Sequence, residues 1–156
     1  MRRWAVRLTA IVIVLVLVGA SPALGLAQPN SFYTYYAPGG WTYNAPANLT
    51  YNCLAYALGI TNQWIWPPYW GYYASETEVD LYMTTFCGKT KCTSAQSPSI
   101  IAYGYSGDTR HFAKVSSSTR TIAKWGQLER FTHPWYPYRY GQSDPLTYGA
   151  GRLFYK

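Results

Sequence analysis

The chain has 156 residues, of which 49% are hydrophobic and 12% charged, with a formal net charge of +7. This length supports one compact domain once a leader is removed, and is too short for two ordinary domains. The lysines and arginines are scattered and form no basic run. The charge therefore suits attraction to an anionic surface such as a cell wall and argues against a nucleic-acid site.

The N-terminus has the three parts of a secretory signal peptide. Basic residues precede an apolar run at residues 10–18, and small residues follow it. We predict cleavage before Gln28, with a competing site after Gly25, so that residues 1–27 are removed and the protein is secreted. The apolar run is about half the length of a membrane-spanning helix, which makes an uncleaved anchor the less favoured alternative. Loss of the three leader arginines lowers the net charge to +4.

The segment after the leader is aromatic and has no periodic pattern. Residues 28–48 are rich in Tyr, Pro, Gly and Asn, and we assign them to an irregular N-terminal segment that precedes a folded domain at residues 49–156. Tyr and Trp have large apolar faces with a polar tip. The 17 Tyr of the chain therefore suit both a core and a ligand-binding cleft.

A short helix is predicted directly after Cys53. Asn52 is a favourable N-cap and Gly59 a favourable C′ residue, which indicates a helix over residues 54–58. A thiol in the first turn of a helix lies among unpaired N–H groups and at the positive end of the helix dipole, and both favour the thiolate. Cys53 is therefore a candidate nucleophile.

An aromatic loop follows this helix at residues 64–71. Two adjacent prolines exclude both a helix and a central strand. The loop is predicted either to form one wall of a substrate cleft or to seal the core as an aromatic plug. If the loop forms a wall, its cleft residues are Trp64, Trp66, Tyr69 and Trp70. Asn52 and Trp125 are assigned to the same cleft.

A second helix is predicted over residues 76–86. Ser75 and Glu78 have the spacing of a capping box, and the apolar residues that follow recur at helical spacing. The acidic residues of its first turns are expected to be solvated.

The cysteine spacing separates one pair from a single thiol. Cys87 and Cys92 close a short loop and are predicted to form a disulfide in an oxidising compartment, which leaves Cys53 as a free thiol. An intermolecular disulfide through Cys53 is the alternative, although a monomer is expected.

The second half of the chain reads as antiparallel sheet. Strands are predicted at residues 99–105, 110–115 and 121–125, and the tail at 146–155 as a further edge strand. Helices followed by a sheet indicate an α+β fold.

Two histidines are available as a base for Cys53. His111 lies on a predicted strand face with small residues, where a helix end can approach it, and Cys–His is an activated-nucleophile pair. The alternative is a structural histidine bonded to a backbone carbonyl. His133, in a Pro-rich aromatic loop, is the weaker candidate.

A third group is expected to orient the imidazole. A two-residue turn at Ser118-Thr119 would place Lys124 on the His111 face, but a lysine cannot accept a hydrogen bond from an imidazole N–H. Lys124 suits a substrate carboxylate or an oxyanion better. Gln127, Glu129 or a backbone carbonyl are better orienting groups, and the sequence does not choose among them.

The order of a cysteine at a helix start, a histidine on a strand and a polar strand resembles the papain-like cysteine hydrolases of bacteria, the NlpC/P60 and CHAP group. Three segments resemble more closely an uncharacterised family of small bacterial domains with the pattern N-C-(I/L)-A-(Y/W)-A-L-G, then H-x-A, then S-K-x-G-x-x-E-x-x-x-H. They are Tyr51-Asn-Cys-Leu-Ala-Tyr-Ala-Leu-Gly59, His111-Phe-Ala-Lys114 and Ala123-Lys-Trp-Gly-Gln-Leu-Glu129 with His133. The resemblance implies a papain-like fold in which Cys53 is the nucleophile and His111 the base. Ala123 stands where the pattern has Ser, while Glu129 and His133 match its last two polar positions. The possible third or orienting groups are therefore Lys124, Gln127, Glu129 and His133.

The function expected from these features is a secreted cysteine hydrolase, a peptidase or amidase acting on an extracellular peptide or cell-wall amide bond. No cofactor, metal or nucleic-acid partner is expected, and no membrane span after signal cleavage. The alternative is a secreted module that binds glycan or peptide, in which Cys53 is a buried structural residue. A reactive Cys53 thiol would favour the enzyme, and an unreactive one the binding module.

Overall fold

A computed structural model describes residues 41–67, 73–135 and 149–156. The predicted signal peptide, most of the predicted N-terminal segment, and the predicted cleft residues Tyr69 and Trp70 lie outside these ranges. Within them, no helix has the length and apolar character needed to cross a membrane.

The described residues form seven strands, which are β1 (Thr42–Ala45), β2 (Lys91–Cys92), β3 (Ile100–Tyr105), β4 (Asp108–Ser117), β5 (Arg120–Lys124), β6 (Arg130–Pro134) and β7 (Ala150–Tyr155). They make one sheet in which every pairing is antiparallel, in the spatial order β1-β6-β5-β4-β3-β7-β2. The β3–β4–β5–β6 part is a meander whose neighbours in sequence are neighbours in space.

In the part of the chain that the structure describes, two short α-helices pack on this sheet. Helix α1 (Cys53–Ala57) lies against β4 and β5, and helix α2 (Glu76–Leu81) contacts β4. A π-helical turn at Tyr82–Phe86 continues α2, so the predicted helix at 76–86 is found with a widened last turn. A 3-10 turn occupies Ser94–Gln96.

The helix ends follow the predicted local chemistry. The Asn52 side chain accepts a hydrogen bond from the Ala55 N–H and caps α1. At the other end Gly59 has φ +81, its N–H donates to the Tyr56 carbonyl and the Ile60 N–H donates to the Ala55 carbonyl. This pair of bonds is a Schellman motif, which glycine favours because it has no Cβ. The capping box of Ser75 and Glu78 is also confirmed.

Alternate residues of the strands face two separate cores. On β3, Ile100 and Ala102 join the core beneath the helices, whereas Ile101 and Tyr103 join the core on the opposite face. On β4, Phe112 faces the helices and Ala113 the other side. The helices cover the first face, and the second face is covered by large aromatic and apolar side chains, among them Trp41, Trp125, Trp135 and Phe154.

The predicted α+β, papain-like fold, with N-terminal helices packed on a small antiparallel sheet, is wrong. The described chain is mainly a seven-stranded antiparallel sheet with two short helices, and α1 spans only five residues. Two strands lie in segments predicted to be loops: β1 in the predicted irregular segment and β6 in the predicted Pro-rich aromatic loop. The tail strand β7 is found, but it lies between β3 and β2 and is not an edge strand.

A bulge changes the register predicted for the β4–β5 hairpin. Ser117 pairs with Arg120 across the two-residue turn, as predicted, but Val115 then pairs with Thr121, so that Ser116 is an extra residue. Paired residues of neighbouring strands lie on the same face of the sheet. Beyond the bulge, each β5 residue therefore shares a face with the β4 residue next to its predicted partner. As a result Lys124 lies on the face of Phe112 and α1, and not on the predicted His111 face.

Candidate functional site

A cavity of about 390 Å³ lies where β4 begins and β5 has just ended. It brings together several of the predicted site residues. The lining includes Cys53 and His111, as well as Asn52, Trp64 and Trp66. Among the described lining residues, Tyr73, Arg110 and Gly126 are not predicted from the sequence.

Asn52 fixes the aromatic loop to the start of α1. Its Nδ2 donates to the Ile65 carbonyl at 2.7 Å, and its Oδ1 accepts from the Ile65 N–H at 3.3 Å as well as from Ala55. Trp64 Nε1 donates to the Leu49 carbonyl at 2.6 Å, which holds this side chain against the segment before α1. The Trp64 and Trp66 walls of the cavity are therefore positioned by the same residue that caps the Cys53 helix.

Cys53 is a buried thiol in the core beneath the helices and is 5% exposed. Burial raises its pKa to about 11, an effect that the Phe112 backbone N–H and the Lys124 charge only partly offset. The structure therefore gives the opposite direction to the predicted stabilisation of the thiolate. A five-residue helix has a small dipole, and desolvation of the charged sulfur outweighs it.

His111 is buried on the face opposite to α1. Its ring lies 4.6 Å from the Trp125 ring and 5.9 Å from the Tyr103 ring, measured between centroids. Burial lowers its pKa well below the ordinary value, and the nearby charge of His133 lowers it further. The imidazole is therefore neutral at pH 7. Cys53 and His111 enter the cavity from two faces of the sheet as a neutral thiol and a neutral imidazole.

Lys124 is the cationic group whose charge acts on Cys53. Its Nζ donates to the carbonyls of Gly126, at 2.7 Å, and Leu128, and lies 5.6 Å from the centroid of the Tyr51 ring. Burial lowers the Lys124 pKa to about 8, against the opposing effects of the Cys53 and Glu129 charges. Lys124 thus holds the loop that follows β5 and adds positive potential on the Cys53 side of the sheet.

The predicted orienting groups are distributed over different places. His133 is buried near His111; its Nδ1 donates to the Pro134 carbonyl at 2.8 Å, and its ring stacks on Trp41 at 5.0 Å. Burial lowers the His133 pKa to about 4. Glu129 is buried on the side of Lys124, and Gln127 is exposed in the loop. Of these four predicted groups, His133 is the one whose charge acts on His111.

The predicted disulfide and the predicted position of Trp125 do not agree with the structure. The three cysteines are free thiols, so the predicted Cys87–Cys92 disulfide has no support in the structure. Trp125, predicted in the cleft, is buried behind His111 and is 2% exposed. In the described ranges, no group of three or more His, Cys, Asp or Glu side chains is placed to hold a metal ion.

Comparison with known proteins gives a family without an assigned activity. Residues 42–156 match the family described as a domain of unknown function, DUF7689. No curated protein and no solved structure matches the chain. The matched range begins at β1 and thus includes this strand of the predicted irregular segment.

Proposed function

The chain belongs to the DUF7689 family, whose function is unknown, and we propose from the geometry of its cavity that it is a secreted thiol hydrolase of amide bonds. Cys53 is the nucleophile and His111 the general base. The observation that carries the proposal is that both side chains line the same cavity, although they come from elements far apart in sequence.

The neutral state of both groups defines how they act. When an acyl group occupies the cavity, the His111 imidazole takes the proton of the Cys53 thiol while the sulfur attacks the carbonyl carbon. The imidazolium then gives this proton to the departing amine as the C–N bond breaks. Water, deprotonated by the same imidazole, hydrolyses the thioester and regenerates the thiol. No preformed thiolate–imidazolium pair is required, which agrees with the opposite pKa shifts of Cys53 and His111.

The proposed substrate is an extracellular peptide or a cell-wall peptide. Support for export comes from the signal-peptide pattern of residues 1–27, and the basic charge of the remaining chain suits an anionic wall. The tryptophan side chains at the cavity offer apolar faces on which a short peptide can pack.

The test traps the acyl-enzyme and so does not require the natural substrate. We expect p-nitrophenyl acetate to give a burst of nitrophenolate and an acetyl group on Cys53, detected by mass spectrometry of the digest. Cys53→Ala removes both signals. His111→Gln lowers the acylation rate by about 10²–10⁴-fold, the range of general-base catalysis.

Cys87→Ser is the matched control, because it removes a free thiol that does not line the cavity and should leave the burst unchanged. Release of amine from peptidoglycan peptides by the wild type, but not by Cys53→Ala, then identifies the substrate. A burst that persists in Cys53→Ala contradicts the proposal.

A second candidate function is a secreted binding module, favoured by the burial and the raised pKa of Cys53. On this proposal the aromatic cavity binds a peptide or glycan, and Cys53 fills core volume. Absence of acylation in the wild type, together with saturable binding of a peptidoglycan peptide, decides for it.

A further inference from the structure

Arg110 is placed in the cavity by an irregularity of the sheet. Tyr103 pairs with His111 and Gly104 pairs with Thr109, so Arg110 is an extra residue in β4. Such a bulge re-aims a side chain and is frequent beside binding sites. Both Arg110 and His111 line the cavity.

The guanidinium is fixed on three sides. Its carbon lies 4.3 Å from the centre of the Tyr73 ring and 4.7 Å from the centre of the Tyr105 ring. Asp108 Oδ2 accepts hydrogen bonds from its Nε, at 2.7 Å, and its Nη2. The Thr109 N–H bonds to the Ala74 carbonyl at 2.8 Å, which holds the neighbour of Tyr73 against β4. The orientation of the fork is therefore set before any ligand arrives.

The contacts of Arg110 leave part of its fork available. An arginine has five N–H donors, and within the described residues its bonds go to one oxygen of one carboxylate through Nε and Nη2. Nη1 and the second hydrogen of Nη2 remain for a ligand. Arg110 is also the one permanently charged side chain among the described residues of the lining.

We propose that Arg110 binds a carboxylate of the ligand, so that the cavity selects peptides with a free carboxylate close to the atoms that face Cys53 and His111. A planar fork matches a planar carboxylate in two parallel hydrogen bonds. The neighbouring Asp108 balances the arginine charge, which suits a monoanion and disfavours a dianionic phosphate. The selection of substrates rests on the proposed hydrolase function. The binding of a carboxylate by Arg110 does not depend on it.

Binding is measured in Cys53→Ala, so that the result does not depend on turnover. The probes are acetyl-alanyl-alanine with a free C-terminal carboxylate and the same peptide as its C-terminal amide, followed by NMR titration of the Trp64 and Trp66 indole N–H signals. We expect the carboxylate form to bind at least about tenfold more tightly, the value of one charge-assisted hydrogen bond. Arg110→Gln should remove this preference, and Arg110→Lys should restore part of it.

Arg130→Gln is the matched control, because Arg130 also lies over a tyrosine ring, at 4.9 Å from Tyr56, and does not line the cavity. It should keep the preference for the carboxylate. Inorganic phosphate should compete more weakly than acetate. Equal binding of the two peptides, no binding of the carboxylate form at millimolar concentration, or an unchanged preference in Arg110→Gln each overturns the proposal. A failed acylation test with intact carboxylate selection overturns the proposed hydrolase alone.

Discussion

At the scale of single residues, the site is governed by desolvation. Burial is the largest cause of the pKa shifts of Cys53, His111, His133 and Lys124, and in each case it favours the uncharged form. The thiolate form of Cys53 was predicted from its position at a helix start, which is the local feature that the sequence provides. The depth of the thiol depends on the tertiary packing of α1 over Phe112 of β4, which no local pattern encodes.

The charge of Lys124 can be tested through the reactivity of Cys53. In a Cys87→Ser, Cys92→Ser background, Cys53 is the one remaining thiol. We expect its alkylation by iodoacetamide to rise with pH up to about 11, well above the free-thiol midpoint of about 8.5. Lys124→Met removes a positive charge that lowers the Cys53 pKa, so alkylation at pH 7, where Lys124 with its pKa of about 8 is still charged, should become slower.

Lys114→Met serves as the control, since Lys114 is exposed on β4 and its charge is not among the causes of the Cys53 shift. A pH profile centred near the free-thiol value would contradict the burial argument. Equal rates for the two lysine variants would contradict the role of Lys124.

At the scale of secondary-structure elements, the sequence predicts what is determined locally. The N-cap Asn52, the C′ residue Gly59 and the capping box at Ser75 depend on residues within one helical turn, and all three are confirmed. The strands predicted at residues 99–105 and 121–125 are found at Ile100–Tyr105 and Arg120–Lys124, because short apolar runs bounded by turn residues indicate strands.

Bulges and aromatic strands are the elements that the sequence did not reveal. The extra residues Ser116 and Arg110 are set by pairing with a second strand, and each changes which side chains share a face. These two irregularities moved Lys124 to the Cys53 face and placed Arg110 in the cavity. β6 ends at Pro134, and this context made the strand look like a loop.

The β3–β4 bulge requires glycine at position 104. A Cβ there would lie 2.0 Å from the Asp108 carbonyl oxygen, and Gly149 packs equally closely on the Gly104 carbonyl. Gly104→Ala should therefore shift the backbone beside Arg110 and lower the free energy of unfolding by about 3 kcal/mol, the upper end of overpacking costs. Urea unfolding measures this change. Gly88→Ala is the control, because nothing lies near a Cβ at this position and the variant suffers only the strain of alanine at a φ of +62. A Gly104→Ala variant as stable as the wild type would contradict the predicted clash.

At the scale of the whole molecule, the sheet separates two groups of buried polar side chains. Cys53 and Lys124 lie on the α1 side with mutual electrostatic influence, whereas His111 and His133 lie on the aromatic side. One member of each group, Cys53 or His111, lines the cavity where β4 begins. The other member of each group, Lys124 or His133, is buried and is not among the described lining residues.

The buried histidines should make the fold sensitive to acid. Both have folded-state pKa values below the unfolded value of about 6.5, so their contribution to stability is complete above that pH and falls as the pH drops. Between pH 6.5 and 4 the unfolded chain binds protons that the folded chain does not, and the His133 shift to a pKa of about 4 alone corresponds to about 3 kcal/mol. The free energy of unfolding in urea, measured from pH 7.5 to 4.5, should thus decline below pH 6.5.

The chain has two histidines, so a His111→Gln, His133→Gln double variant should be less stable at pH 7 and lose this slope between pH 6.5 and 5. A wild-type stability that stays constant from pH 7 to 5 would show that the histidines are solvated, and it would remove the physical basis for the neutral His111 base.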